Sequence, residues 1–258
     1  MGDTRPLPPQ PGRRRGRSRA RRYLKRAAVS VAVIVVVLAL AAGGLWVLTP
    51  SAGQAPQLAS AQAAQRGIAY PGPEAPQNFV RPLIATEDHR YASEPGVDPL
   101  AIARVIAAKV TGHPDQGGAT IEQQLAKLLY TPADAGFKVK LEEVVLAVKL
   151  NAAYSKQQIL DLYAEAAYYG HGFYGLQAAS CGYFGHPARD LTVVQGAMLA
   201  GVVNAPSVDD PVSDPENART RLAHVIARMV AVGYLTGAQG KRALDSSLDL
   251  TSGGGPGC

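Results

Sequence analysis

One run of 22 residues, AAVSVAVIVVVLALAAGGLWVL at positions 27–48, contains no charge and a single polar side chain, Ser30. An α-helix rises 1.5 Å per residue, so this run would extend about 33 Å and cross the roughly 30 Å hydrocarbon layer of a membrane. A cleaved signal peptide is the alternative, with residues 58–61 as a candidate cleavage site. The apolar region of a signal peptide is typically about 7–15 residues long, so the length favours an uncleaved anchor over 27–49.

The basic residues are concentrated before this run. Residues 1–26 contain ten Lys or Arg residues and one acid, a net charge of +9, whereas the whole chain carries +6. The remainder therefore carries −3. A basic tail beside a membrane span is predicted to stay in the cytoplasm, which places the rest of the chain outside the cytoplasmic membrane. A soluble nucleic-acid-binding protein is excluded on the same ground.

The segments that flank the main domain have linker-like composition. Residues 50–75 are rich in Pro, Ala, Ser and Gln and predict a linker with at most one short helix, and residues 251–258 predict a disordered tail. Two cysteines are too few for a disulfide framework. Cys181 is predicted to be a small buried core residue, and Cys258 to have no role.

The domain between them, residues 76–250, shows helical signals throughout. Asp98-Pro99 predicts a helix start, with the helix continuing to Gly112, and Asp214-Pro215 predicts another that ends at Gly233. No stretch alternates as a strand would, so the predicted fold class is all-α. Four pairs have the spacing of a capping box: Thr120/Gln123, Ser155/Gln158, Thr192/Gln195 and Thr236/Gln239.

Two segments contain residues suited to chemistry. Glu87 and Asp88 follow the apolar stretch FVRPLIAT, where desolvation can raise one carboxyl pKa and produce a general base; a solvated pair at a helix end is the alternative. The Gly117-Gly118 pair precedes a Thr-capped helix, whose free N–H groups would suit a phosphate; an ordinary glycine turn is the alternative.

The order and spacing of five segments are more specific than any residue alone. TEDHRY…GVDPLAIAR, GGATIEQQLAK, KLEEVVLAVKLNAAYSKQQILDLY, AYYGHGFYGLQAAS…YFGHPARDLT and AMLAGVVNAPSVDDP follow one another over about residues 75–240. This series resembles glycosyltransferase family 51, the monofunctional peptidoglycan glycosyltransferases and the matching domain of class A penicillin-binding proteins. No Ser-x-x-Lys with a later Lys-Thr-Gly follows, so the monofunctional type is expected.

The resemblance implies a fold, a reaction and partners. The fold is an all-α, lysozyme-like domain with a single N-terminal transmembrane helix. The reaction joins lipid-linked disaccharide–peptide, lipid II, into glycan strands and releases undecaprenyl diphosphate. The expected partners are lipid II, the growing strand, the cytoplasmic membrane and other cell-wall synthesis proteins. A divalent cation, Mg²⁺ or Mn²⁺, is the one cofactor considered, and no metal ligand is assigned.

The resemblance also assigns roles to residues. Glu87 matches the general base for the acceptor 4-hydroxyl, and Glu143 matches a second catalytic glutamate near the donor diphosphate. The predicted substrate-binding residues are Asp88, Gly117, Gly118, Thr120, Gln123, Gln124, Lys127 and Lys140.

Several positions depart from the family pattern. Ala119, Leu128 and Val139 stand where relatives place Ser, Asn and Arg, and Glu94 and Glu122 stand where they place His and Thr. These departures leave open a catalytically impaired protein that binds lipid II or scaffolds wall synthesis. A glycan-cleaving, lysozyme-like enzyme is a further alternative. Such an enzyme would need a proton donor at the glycosidic oxygen.

The basic flank predicts the topology. A reporter fused after Cys258 is expected to be active only outside the cytoplasm, because the arginine-rich tail stays inside. Protease treatment of intact cells should leave the N-terminal tail protected, and the product should run at full length. A reporter active in the cytoplasm would contradict both the topology and the functional interpretation.

Overall fold

The computed structural model describes residues 14–101, 104, 111, 118–132, 135–251 and 258, with side chains from Tyr23 onward. The chain divides into two compact units, 1–48 and 49–258. In the first unit, helix α1 spans Arg14–Leu48, and its apolar part is long enough to cross a membrane and is not buried within the protein. Val35, Val36 and Leu38 are each more than half exposed, as lipid-facing side chains are.

The regular secondary structure described in the second unit is helical. Its described part contains no strand, only an isolated bridge between Tyr168 and Tyr174. The predicted all-α class is confirmed. The α-helices are α2 (Ala55–Arg66), α3 (Gln77–Glu87), α4 (Ile121–Tyr130), α5 (Phe137–Ala153), α6 (Lys156–Ala166), α7 (Leu176–Phe184), α8 (Val193–Val202), α9 (Pro215–Ala231) and α10 (Gly237–Asp245), with 3₁₀ turns at Ala52–Gln54 and Ala188–Asp190.

The predicted helix starts are present. All four capping boxes form, with the Thr or Ser side chain and the Gln side chain each bonded to the other residue's backbone N–H. Asp214 caps α9, which follows it with Pro215 in the first turn. Most of the helix predicted between Asp98 and Gly112 lies outside the described residues.

Two apolar clusters form the interior, and α3 contributes to both. Phe79, Val80 and Leu83 belong to the larger cluster with residues of α2, α4, α5, α6 and α7. Ala85 belongs to the smaller cluster, which is formed mainly by α8 and α9. Because α3 is packed from both sides, its C-terminal end lies where the two clusters meet.

Glycine permits the close contacts among these helices. A Cβ on Gly196 of α8 would lie 1.9 Å from the carbonyl oxygen of Asn78, at the start of α3. A Cβ on Gly201 would lie 2.9 Å from Cγ of Arg221 on α9. The spacing of α3, α8 and α9 therefore depends on residues without side chains.

The segment predicted to be a linker is part of the folded unit. Ala55, Ala59 and Ala63 are spaced four apart on α2, and all three are buried. Lys149 Nζ donates to the Thr49 and Pro50 carbonyls at 2.9 and 3.1 Å. The sequence allowed one short helix here but did not indicate that it packs into the folded unit, because alanine contributes little hydropathy although it packs closely.

The prediction that Cys258 has no role is wrong, because the two cysteines form a disulfide. Cys181 is buried as expected, but it forms a disulfide with Cys258 across a sequence separation of 77. At the start of the predicted disordered tail, Thr251 donates its N–H to the Tyr183 carbonyl at 2.8 Å. Residues 252–257 lie outside the described part of the chain. Sequence spacing alone does not reveal a bridge between a helix and a glycine-rich terminus.

The contact at Gly196 generates a stability prediction. Gly196→Ala should lower the free energy of unfolding by about 3 kcal/mol, because the new methyl overlaps the α3 backbone, which cannot move without disturbing both clusters. Thermal unfolding of the full-length protein in detergent measures the change.

Gly237→Ala is the matched control for this prediction. Gly237 begins α10 and is exposed, and a Cβ at this position would have no other atom within 4 Å. Alanine there should leave stability unchanged or raise it slightly, since alanine favours helices over glycine. Equal effects at the two positions would show that the α3–α8 contact is looser than described.

Candidate active site

The two adjacent acids at the end of α3 have different partners, although both are largely shielded from water. Glu87 is the last residue of the helix, and Asp88 is its C-cap with φ −157° and ψ 71°. Glu87 lines a small opening of about 70 Å³ together with Asp88, Gly118, Ala119 and Thr120. Asp88 turns inward and is 8% exposed.

Three side chains hold the Glu87 carboxylate. Gln124 Nε2 donates to Oε2 at 3.1 Å, and Asn204 Nδ2 lies 3.2 and 3.0 Å from Oε1 and Oε2. Arg221 donates to Oε1 at 2.9 Å, which forms an ion pair. A carboxylate accepts about four hydrogen bonds, so these contacts occupy it fully. A substrate hydroxyl must displace one donor, and Asn204 is the exposed one.

The other two donors are fixed by further contacts. Gln124 Oε1 accepts a hydrogen bond from the buried Tyr163 hydroxyl at 2.9 Å, and burial raises the pKa of that hydroxyl, which keeps it a donor. Arg221 Nε donates to the Gly201 carbonyl at 3.2 Å and lies 3.9 Å from an Asp209 oxygen. Gln124 and Arg221 therefore position Glu87, and neither can turn away without losing a second contact.

The predicted phosphate site at the start of α4 is occupied by the protein itself. The Ile121 N–H donates to Asp88 Oδ2 at 3.2 Å, and the Gln123 N–H donates to Thr120 Oγ1. Gln123 Oε1 in turn accepts from the Thr120 N–H. The positive end of α4 is thus neutralised by an internal carboxylate and a capping box. Thr120 and Gln123 have structural contacts here, and their predicted role in substrate binding stays a prediction.

The glycines before α4 are only partly described. Gly118 is exposed, and a Cβ there would lie 3.9 Å from the Glu87 carbonyl. Gly117 lies outside the described residues, so its predicted role stays a prediction.

The predicted cationic contacts lie on α4 and α5. Lys127 is exposed in the last turn of α4. Lys140 Nζ lies 2.8 Å from Oε2 of Glu143, whose side chain is 4% exposed while that of Lys140 is 57% exposed. Within the described part of the chain, no hydrogen bond or ion pair joins Lys140 or Glu143 to Glu87. α4 and α5 pack against each other, so both lysines belong to one part of the fold.

Asp88 belongs to a second, buried group of carboxylates. One oxygen each of Asp88, Glu94 and Glu122 lies within 4.8 Å of the other two. Burial, together with the Glu94 carboxyl, raises the pKa of Asp88 to about 8. Burial also raises the pKa of Glu122, against the opposing effect of Lys156. Of the two acids at the end of α3, Asp88 faces the buried carboxylates, whereas Glu87 faces Gln124, Asn204 and Arg221.

A larger cavity, about 710 Å³, lies elsewhere, between α2 and the turn that precedes α7. Arg66 stacks on the Tyr174 ring at 4.0 Å within it, and Cys258 is at its edge. It contains none of the predicted site residues, and its size alone does not make it the reactive site.

Arg221, Asn204 and Tyr163 were not among the predicted site residues. Asn204 lies in the last of the five motif segments, which is a signal that the sequence offered. Arg221 lies outside all five and is 134 positions from Glu87. Only the packing of α9 beside α3 brings the two together.

An all-helical unit in which an arginine and two amides hold a carboxylate beside a small opening is compatible with acid–base chemistry. The family model described as "Transglycosylase" matches residues 55–230. Penicillin-binding protein 1F of Bacillus subtilis (strain 168) is 36% identical over 178 residues, which cover 69% of this chain and 25% of that protein. Penicillin-binding protein 1A of Aquifex aeolicus is 36% identical over 176 residues, covering 68% and 24%.

A shorter relative matches over most of its length. A Cupriavidus necator protein described as "Putative transglycosylase" is 34% identical over 175 residues, covering 68% of this chain and 76% of that protein. The chain belongs to the transglycosylase family, as the five motifs predicted. It spans about a quarter of the length of the two penicillin-binding proteins.

The Glu87–Arg221 contact generates a prediction about coupling. Glu87→Gln and Arg221→Met should be non-additive, with a coupling of about 1–3 kcal/mol in the free energy of unfolding, because the pair is largely shielded from water. Denaturant unfolding of the two single variants and the double variant measures it.

The exposed pair Arg189–Asp190 supplies the comparison. Its atoms are 3.6 Å apart, and its side chains are 78% and 55% exposed. Arg189→Met and Asp190→Asn should be additive within error, as surface pairs commonly are. Additivity at Glu87–Arg221 as well would mean that Arg221 does not position the carboxylate.

Proposed function

We propose that this protein polymerises peptidoglycan glycan strands from lipid II, with Glu87 as the general base. The observation that carries the proposal is the Glu87 carboxylate, aimed into an opening and held by an arginine and two amides. Membership of the transglycosylase family supports the same reaction.

In the proposed step, the acceptor 4-hydroxyl takes the place of Asn204 beside Glu87. Glu87 accepts the hydroxyl proton while the oxygen bonds to C1 of the donor sugar. The C1–oxygen bond to the lipid diphosphate breaks, and the electron pair leaves with the diphosphate. Attack opposite the leaving group inverts C1. Diphosphate is a good leaving group, so positive charge near it is more useful than a strong general acid.

Lys127 and Lys140 are the exposed cations proposed to face that diphosphate. Glu143 is buried against Lys140, and an ion pair of this kind orients the ammonium group. The Asp88–Glu94–Glu122 group does not suit a cation at the diphosphate, because all three carboxylates are buried. No step of the proposed reaction therefore passes through a metal ion.

The proposed location is the cytoplasmic membrane, with the N-terminal tail inside and the folded unit outside. The length of α1 and the basic flank support this arrangement. The Cys181–Cys258 disulfide agrees with it, since disulfides persist in oxidising compartments. The proposed partners are lipid II, the growing strand and other proteins of wall synthesis.

Replacement of the base tests the mechanism. Glu87→Gln should reduce polymerisation of lipid II by detergent-solubilised protein by about 10²-fold or more, because the amide cannot accept the proton. The amount of glycan polymer formed over time, separated by length on a gel, gives the rate. Glu74→Gln, at an exposed glutamate, should keep the wild-type rate.

The same assay separates the alternatives. Binding of lipid II without polymer from the wild-type protein would indicate the impaired, scaffolding protein. Shortening of added glycan strands would indicate a glycan-cleaving enzyme. A Glu87→Gln variant as fast as wild type would show that another group takes the proton.

A further inference from the structure

Three buried carboxylates meet behind the proposed base. Asp88 follows α3, Glu94 lies in the next turn, and Glu122 lies in the first turn of α4; they are 8%, 6% and 0% exposed. One oxygen of each lies within 4.8 Å of one oxygen of both others. The end of α3 with the turn after it, and the start of α4, thus direct three carboxylates to a single point.

Several of these oxygens have no hydrogen-bond donor. Both carboxylate oxygens of Glu94, and Oε2 of Glu122, are buried without a hydrogen-bond partner among the described residues. The donors that do reach the group satisfy other atoms. The Ile121 N–H binds Asp88 Oδ2, and Lys156 Nζ binds Glu122 Oε1 at 2.6 Å and the Glu94 carbonyl at 2.9 Å. Glu94 is therefore more than nine-tenths buried, receives no described N–H or O–H donor, and is directed at the other two carboxyl groups.

The charge of the group is also unbalanced. In the ionised form that a cation requires, the three carboxylates and the contacting ammonium of Lys156 sum to −2 at a buried point. Buried charges are normally paired or bound to a metal, because an unpaired charge loses its hydration without compensation. A divalent cation would neutralise this group.

The spacing suits a cation with oxygen ligands. Ca²⁺ binds carboxylate oxygens at about 2.3–2.6 Å, so two oxygens on opposite sides of the ion lie roughly 4.6–5.2 Å apart, and adjacent ligands lie closer. The 4.8 Å limit among the three oxygens is within that range. Because all three ligands are carboxylate oxygens, the site favours hard cations over soft metals, which prefer thiolate ligands.

We propose that Asp88, Glu94 and Glu122 form a buried binding site for a hard divalent cation, with Ca²⁺ as the expected ion. The ion ties the C-terminal end of α3 to the N-terminal turn of α4. Because Glu87 precedes Asp88 directly and Gln124 is one turn into α4, the site supports the geometry of the base without touching the substrate. Cation binding at this site does not depend on the polymerase reaction.

Cation-dependent stability tests the site. Full-length protein in detergent is treated with EDTA, and its thermal midpoint is measured with excess EDTA, CaCl₂, MnCl₂ or MgCl₂. A ligand that binds only the folded state stabilises it, and CaCl₂ should raise the midpoint by about 5 °C. Equilibrium dialysis should show about one Ca²⁺ per chain.

Glu94→Gln gives the sharper result, because it removes a buried charge that has no donor. In EDTA this variant should be at least as stable as wild type, while its Ca²⁺-dependent rise is lost and Ca²⁺ binds at least about 10-fold more weakly. Glu122→Gln should also lose the rise, but with lower stability in EDTA, since Lys156 loses its partner. Glu165→Gln, at a half-buried glutamate outside the group, should keep the full rise.

Two outcomes would overturn the proposal. If no cation binds or raises the midpoint, protons instead of a metal ion neutralise the carboxylates. If Glu94→Gln keeps the full Ca²⁺-dependent rise, the cation binds elsewhere on the protein. Both readouts are independent of lipid II, so neither outcome affects the proposal of a Glu87 base.

Discussion

The shared helix α3 is the constraint on which the rest of the second unit depends. One part of it packs into the larger apolar cluster, and Ala85 packs into the smaller one against α8 and α9. Gly196 allows α8 to approach until the backbones nearly touch. Held from both sides, α3 ends at a defined point, and its last residue meets donors from both parts of the fold: Gln124 from α4 and Arg221 from α9.

Adjacent acids at that point acquire different properties from their surroundings. Glu87 faces an opening and is bound by groups that orient it and leave one exposed donor to be displaced. Asp88 faces inward, caps α4 and lies in a group with Glu94 and Glu122, where burial raises its pKa to about 8. The two adjacent carboxyl groups thus have different partners: Glu87 is bound by amides and an arginine, and Asp88 lies among other carboxyl groups. These two residues therefore join the proposed site of the base to a buried group of carboxylates, whose negative charge a bound cation would neutralise.

The residues that follow α1 are hydrogen-bonded to the rest of the folded unit, as residues of a flexible linker would not be. Lys149 binds the backbone at Thr49 and Pro50, and the hydroxyls of Tyr130 and Tyr154 bind the Ala52 carbonyl. With α2 packed through its alanines, this segment connects the folded unit to the chain that leaves the apolar span.

The sequence by itself determined what depends on neighbours along the chain. Capping boxes, the Asp214-Pro215 helix start, the apolar span and the all-α class are local features, and each is present in the described structure. Motif order was enough to identify the family and to select Glu87. Contacts between distant segments were decided only by the tertiary structure: Arg221 beside Glu87, Asp88 filling the anion site at α4, the packed alanines of α2 and the disulfide to Cys258. Hydrogen bonds and burial at such contacts depend on where two helices cross. The spacing of residues along one helix does not determine that position.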